Sequence, residues 1–306
     1  MKKGGVSALF HLLSFGNPPR LFTRMTMPTL NIGKIDYLNV WPMFQLLEHP
    51  EDGHFDHTLV PGHPSFLNEL LARGEIDVSP SSAFEYLLHA EQYQILPGLS
   101  ISSDGPVQSV LLVSPVPRED LPSFLAHHHN RVNVTGASAT SVALLKVLWS
   151  LAWGFDQPQW QVVEPGEGLG LGLPFLEIGD RALRIHADRP RGWHITDLGE
   201  AWKQWTGLPF VFALWIVRKN LFPERQAMLT TLAARLLDIK KQVPDHLEHL
   251  LDQARNKGFS REVLRRYWQI MSYELGEQEQ ASLALYAHLC TRLGLLPGCP
   301  ALNKCT

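Results

Sequence analysis

The chain has 306 residues, of which 45% are hydrophobic and only 19% charged, and nine are tryptophan. Soluble domains carry about 25% charged residues and disorder needs the opposite bias, so a mostly unstructured chain is excluded. Its 27 basic and 30 acidic side chains give a net charge of −3, which offers no basic field to nucleic acid or to an anionic membrane surface.

At about 150 residues per domain the length suits two domains or one large one. Residues 1–27 are predicted to be a loose N-terminal extension. Lys2-Lys3 and the apolar stretch from Val6 to Phe15 imitate an export signal, but His11 interrupts that stretch, Pro18-Pro19-Arg20 follows it, and no small-x-small cleavage site precedes the first strand. No apolar run approaches the roughly 20 residues of a membrane span, so a cytoplasmic protein without a membrane partner is expected. Cys290, Cys299 and Cys305 form an odd set without a paired C-x-x-C, which predicts neither a disulfide framework nor a zinc site.

In chain order, Leu30 to Ile35 reads as a strand and Pro42 to Glu48 as a helix. Phe55 to Val60 alternates like a strand, and Pro64 to Arg73 sets Phe66, Leu67, Leu70 and Leu71 at helical spacing, with Gly74 as the stop. Ile76 to Val78 is predicted as a brief strand, Ser81 to Leu88 as a helix and Val107 to Ser114 as a long buried strand. After Pro115-Val-Pro117 the pattern restarts with a helix over 121–127, a strand over 131–134, a helix over 138–152 and strands over 160–163 and 174–178. Val211 to Val217 is a further strand, and the remainder is helical, broken at Pro223, Pro244 and Gly258.

Alternating strands and helices predict an α/β fold with largely parallel sheets. The restart predicts two lobes, residues 28–113 with 218–306 and residues 114–217, joined by crossing strands around 110–118 and 211–219. Ligands of open α/β sheets sit outside the carboxyl ends of the strands, so the site is expected in the cleft, lined by strand-end loops.

Two of those loops are rich in hydroxyls. Thr135-Gly-Ala-Ser-Ala-Thr-Ser141 joins a strand to a strong helix, whose first backbone N–H groups suit an anion. It lacks the G-x-x-x-x-G-K-[ST] pattern of a nucleotide site, so a carboxylate is the better guest. Ser79-Pro-Ser-Ser-Ala-Phe-Glu85 has the same form, and Ser100 to Ser109 adds polar side chains around a Gly105-Pro106 turn. In each case the competing reading is a helix cap or a surface turn.

Other signals are weaker. The glycines of Gly166-Glu-Gly-Leu-Gly-Leu-Gly172 fall at every second position ahead of a strand, which reads as a flexible loop and not as a dinucleotide site. Fourteen histidines include His54-x-x-His57, His127-His-His129 and His246-x-x-His249, but none has Cys, Asp or Glu at ligand spacing, so no metal is expected. Asp36, Asp104 and Asp180 fall at strand ends, where they could serve as acid, base or helix cap.

Six ordered motifs carry a family resemblance: Ile32-Gly-Lys-Ile-Asp-Tyr-Leu-Asn39, Ser79-Pro-Ser-Ser-Ala-Phe-Glu-Tyr86, Ser100-Ile-Ser-Ser-Asp-Gly-Pro-Val107, Ser138-Ala-Thr-Ser141, Ile178-Gly-Asp-Arg-Ala-Leu183, and the segment from Asp197-Leu-Gly-Glu-Ala-Trp202 to Phe212. From about residue 29 to 297 the chain resembles the chorismate dehydratases of the futalosine route to menaquinone. The resemblance implies a two-lobed fold like the type II periplasmic binding proteins, with two mixed sheets, a central cleft and two crossover strands. It implies conversion of chorismate to 3-[(1-carboxyvinyl)oxy]benzoate and water, without a cofactor. Asp36 stands where the family usually has Ser.

By the same resemblance Asn39 is a catalytic residue, which as an amide orients or polarises the leaving hydroxyl. Asp104 is a candidate base, with the substrate's own side-chain carboxylate as the alternative. Tyr37, Ser81, Ser82, Ser103, Ser138, Thr140 and Ser141 are the expected substrate-binding residues. Two other readings stand beside this one: the related naphthoate synthase of the same route, disfavoured by Tyr37-Leu-Asn39 in the first loop, and a non-catalytic solute-binding protein.

Overall fold

A computed structural model describes residues 29–49, 56–221 and 223–305. The predicted extension over 1–27 and the start of the second strand at Phe55 lie outside them.

The chain runs β1 (Leu30–Lys34), α1 (Trp41–Glu48), β2 (His57–Pro61), α2 (Pro64–Arg73), β3 (Val78–Ser82), α3 (Ala83–Leu88) and β4 (Tyr93–Ser103). There follow β5 (Val110–Ser114), α4 (Leu121–Ala126), β6 (Arg131–Thr135), α5 (Ala139–Val147), β7 (Gln159–Val163), α6 (Gly168–Leu171), β8 (Phe175–Ile178), α7 (Gly179–Asp188), β9 (His194–Asp197) and α8 (Leu198–Thr206). The last part is β10 (Phe210–Arg218), α9 (Pro223–Gln242), α10 (Leu247–Gln253), α11 (Arg261–Ile270), β11 (Met271–Ser272) and α12 (Glu277–Arg292).

Two mixed sheets form. The first has the order β11-β4-β10-β3-β1-β2 and the second β7-β6-β8-β5-β9. β1 is parallel to both β2 and β3, whereas β10 is antiparallel to β3 and β4 on either side. In the second sheet β6 is parallel to β7 and β8, and β5 is antiparallel to β8 and β9. Central strands are apolar on both faces, as expected for strands covered by helices on each side. Leu111, Leu112 and Val113 of β5 and Leu214, Trp215, Ile216 and Val217 of β10 are all fully buried. Gly33 lets β1 approach β3, because a Cβ there would meet Ser79 Oγ at 2.5 Å.

The crossings differ from expectation. β5 lies wholly in the second sheet and β10 wholly in the first, so neither is a strand shared between lobes. The chain passes between sheets at residues 104–109 and again after α8. Asp197 ties the first passage to the start of α8: its carboxylate caps that helix by accepting from Gly199 N and Glu200 N, and also accepts from Val107 N and Gln108 N. Gln108 takes a left-handed φ of 60°, which a residue with a side chain adopts only when its surroundings hold it there.

The C-terminal helices fold back on the first sheet. α11 shows why. Ser260 caps it by accepting from Val263 N; Leu264, Tyr267 and Trp268 recur at i, i+3 and i+4 and are buried, while Arg261, Glu262 and Arg266 face solvent.

Candidate active site

The strand ends of the two sheets meet in a narrow cavity of about 80 Å³ that opens to solvent on one side. Tyr37 and Asn39 line it from the turn after β1, Ser81 and Ser82 from the end of β3, Ser109 from the 104–109 crossing, and Ser138 and Ser141 from the start of α5. Ile35, Ile101, Val107 and Phe212 add apolar walls, and no lining residue carries a formal charge at neutral pH.

Each polar group has a local reason for its place. The backbone turns after β1 because Val40 N and Trp41 N both donate to the Tyr37 carbonyl. Trp268 Nε1 donates to the Leu38 carbonyl at 2.8 Å and Tyr273 Oη to the Asn39 carbonyl at 2.9 Å, which fixes that turn from α11 and from the residue after β11. The Asn39 side chain makes no hydrogen bond among the described residues, and Asn39 lines the cavity. Ser138 caps α5 by accepting from Ser141 N at 3.2 Å, with its hydroxyl 3.0 Å from that of Ser141. The positive end of α5 therefore faces the cavity.

Ser81 is different. Its hydroxyl is fully buried, lines the cavity and has no hydrogen-bond partner among the described residues. A buried hydroxyl left unpaired costs about 1–3 kcal/mol, so such a group at a cavity wall points to a ligand that pairs it.

Electrostatics keep the site neutral. Burial, reinforced by the carboxylates of Asp180 and Glu177, pushes the Tyr37 phenol above its ordinary value, so it stays a hydrogen-bond donor. Tyr37 lies over Gly179, whose left-handed φ of 62° opens α7. Burial likewise raises Asp180, which accepts from Leu38 N across the cleft. A wider cavity shares Ile35, Tyr37 and Pro64 with the first and carries Lys34, paired with Glu48, and Lys257, paired with Asp36. Among the described residues no group of three or more His, Cys, Asp or Glu could hold a metal ion.

A family model described as menaquinone biosynthesis matches residues 30–292. The chain belongs to that menaquinone biosynthesis family. A chorismate dehydratase of Thermus thermophilus is 32% identical over 272 residues, 84% of this chain and 93% of its own. Among solved structures, a protein of Archaeoglobus fulgidus superposes with a TM-score of 0.70 at 19% identity, covering 88% of this chain and 98% of that one. The periplasmic aliphatic sulphonate binding protein of Escherichia coli does so with a TM-score of 0.60 at 13% identity, covering 91% and 94%. The periplasmic-binding-protein fold expected from the sequence is thus the fold of this family member.

Six of the nine residues expected at the site of this menaquinone biosynthesis protein line one cavity: Tyr37, Asn39, Ser81, Ser82, Ser138 and Ser141. Three do not. Thr140 is fully buried, and its Oγ1 accepts from Phe84 N at 2.9 Å, tying α5 to α3. Ser103 is buried at the end of β4 and donates to the Gly105 carbonyl. Asp104 is 64% exposed and pairs with Lys203 at 2.5 Å, away from the cavity wall. The expected second anion grip at α3 is also spent, since Glu85 N donates to Ser82 Oγ and Phe84 N to Thr140.

Ser109 was not singled out from the sequence. It ends a run that reads as a polar surface turn, whereas Ser100, Ser102 and Ser103 belong to β4 and are buried. The missing signal is Tyr267, 158 positions away, whose hydroxyl lies 2.8 Å from Ser109 Oγ.

Proposed function

We propose that the protein is a chorismate dehydratase, a hydro-lyase that converts chorismate to 3-[(1-carboxyvinyl)oxy]benzoate and water in the cytoplasm. The observation that carries the reading is the wall of the cavity: hydroxyls and one amide, with the unpaired buried Ser81 hydroxyl among them and no ionised side chain. Chorismate has two carboxylates, a hydroxyl and no phosphate. Hydroxyl donors and the start of α5 suit carboxylates, and the apolar walls suit the ring and the enolpyruvyl group.

The proton removed lies on the ring carbon that bears the enolpyruvyl ether, one double bond away from the carbon carrying the ring carboxylate. Negative charge therefore spreads onto that carboxylate as the C–H bond breaks, and donors held against it lower the barrier. The neighbouring C–O bond then breaks, the hydroxyl departs, and the ring becomes aromatic. With no carboxylate or histidine in the lining, the enolpyruvyl carboxylate of the substrate is the proton acceptor. The same proton leaves with the hydroxyl as water, so no external acid or base is consumed. Asn39, whose amide has no competing partner among the described residues, orients the departing hydroxyl.

The test is incubation of the purified protein with chorismate, without metal or nucleotide, followed by chromatography with mass detection. A dehydrated aromatic enolpyruvyl ether supports the reading. Unchanged chorismate in the presence of folded protein refutes it.

A further inference from the structure

Tyr267 and Ser109 make a hydroxyl pair in which one member reaches the cavity and the other does not. Tyr267 sits on the buried face of α11 with 1% of its surface exposed, and its Oη lies 2.8 Å from Ser109 Oγ. Ser109 is 2% exposed and lines the cavity. The phenol is the more acidic hydroxyl and is the donor of the pair; burial among apolar groups keeps it protonated, raising it well above the ordinary tyrosine range. Ser109 Oγ thus has a lone pair occupied by Tyr267. Its own proton has no acceptor among the described residues and is left for the cavity that Ser109 lines.

We infer that Tyr267 is a positioning residue for the dehydration: by donating to Ser109 Oγ, it turns the Ser109 hydroxyl into a fixed donor to the ring carboxylate of the bound substrate. The inference rests on the function proposed above. Chained hydroxyls polarise one another, so the Ser109 proton binds an anion more strongly with Tyr267 behind it than without. Charge accumulates on the ring carboxylate on the way to the transition state, so the benefit falls on kcat more than on KM. Tyr273, the next buried tyrosine along this segment, provides a contrast: its hydroxyl donates to the backbone carbonyl of Asn39 and has no side-chain relay to the cavity.

The experiment is a double-mutant cycle on chorismate turnover. Tyr267→Phe is expected to lower kcat about tenfold with little change in KM, and to cause no further loss in a Ser109→Ala background. Tyr273→Phe is the control, since whatever loss it causes should persist in that background. Replacing Tyr267 by fluorinated tyrosines of increasing acidity keeps the ring and guards against a Phe variant that fails to fold; kcat should rise along the series. Wild-type turnover with a Tyr267→Phe loss that is absent, or that adds fully to that of Ser109→Ala, overturns the relay and leaves the proposed function standing. A kcat indifferent to phenol acidity also overturns the relay. A wild-type protein that leaves chorismate unchanged overturns both.

Discussion

Leu38 N donates to Asp180 Oδ1 at 3.2 Å, joining the turn after β1 to the first turn of α7. The turn follows a strand of the first sheet and α7 follows a strand of the second, so this bond spans the cleft immediately beside Tyr37 and Asn39. Arg184, one turn further along α7, adds a second tie by donating to the Gly258 carbonyl at 2.9 Å and lying 4.4 Å from the centre of the Phe259 ring. Both contacts tie the two sides of the cleft together, and separating them would return these polar groups to water.

The Asp180 carboxyl is raised by burial and by the neighbouring Asp36, against the Leu38 bond and the cations Lys257 and Arg184. A carboxyl raised on folding contributes stability that is full below the ordinary carboxylate range and is lost as pH rises through the raised value. Asp180→Asn keeps an oxygen for Leu38 N and loses the charge. Its melting temperature should match wild type in acid and exceed it as pH rises to 7. A wild type that gains on the variant over that interval contradicts the assignment.

Ser81→Ala separates stability from binding. Deleting a buried hydroxyl that lacks a partner should leave the free protein as stable as wild type, or up to ~1 kcal/mol more stable, in denaturant unfolding. Chorismate affinity measured by calorimetry should fall on the order of tenfold to a hundredfold, because a hydrogen bond to a charged group is lost. Unchanged affinity would remove Ser81 from the binding site.

Thr140→Val should show the reverse pattern. The change leaves the part-buried Phe84 N without its acceptor and costs ~1 kcal/mol of stability, while the folded fraction keeps near wild-type substrate affinity. Selective loss of affinity at full stability would return Thr140 to the ligand.

Asn39→Ala and Asp104→Ala distinguish a residue at the cavity wall from one on the surface. The first should lower kcat on the order of 10²- to 10³-fold at unchanged circular dichroism, the scale seen when a preorganised donor is removed. The second breaks only an exposed pair with Lys203, worth about 0–1 kcal/mol, and should leave kcat near wild type.

Much of this was legible in the chain, and the exceptions have identifiable causes. β1, β6 and β8 declared themselves as apolar runs, and Ser138 as a cap followed by Val142, Leu144 and Leu145. β4 did not, because Pro97 and Gly98 interrupt its apolar residues. In the structure Gly98 has a left-handed φ of 72°, and the pairing with β10 jumps from Ser100–Leu214 to Ile95–Ile216 around it, so a bulge absorbs the breaker within one strand. Asp180 looked like a loop residue, since nothing in Ile178-Gly-Asp announces that α7 starts at Gly179. Asp104 and Thr140 have the right chemistry and neighbours in sequence. Which way each side chain points depends on Lys203 and Phe84, distant in the chain, and no local spacing encodes that.

The place of β10 bears on how the chain matures. Its neighbours β3 and β4 are made before any residue of the second sheet, yet the strand that pairs with both arrives only after all five strands of that sheet have been synthesised. The second sheet is drawn from one continuous stretch, so it can assemble while β3 and β4 still present open edges. During synthesis the first lobe is therefore the late one, and the serines at the end of β3 gain their cavity only when Phe210–Arg218 zips in between.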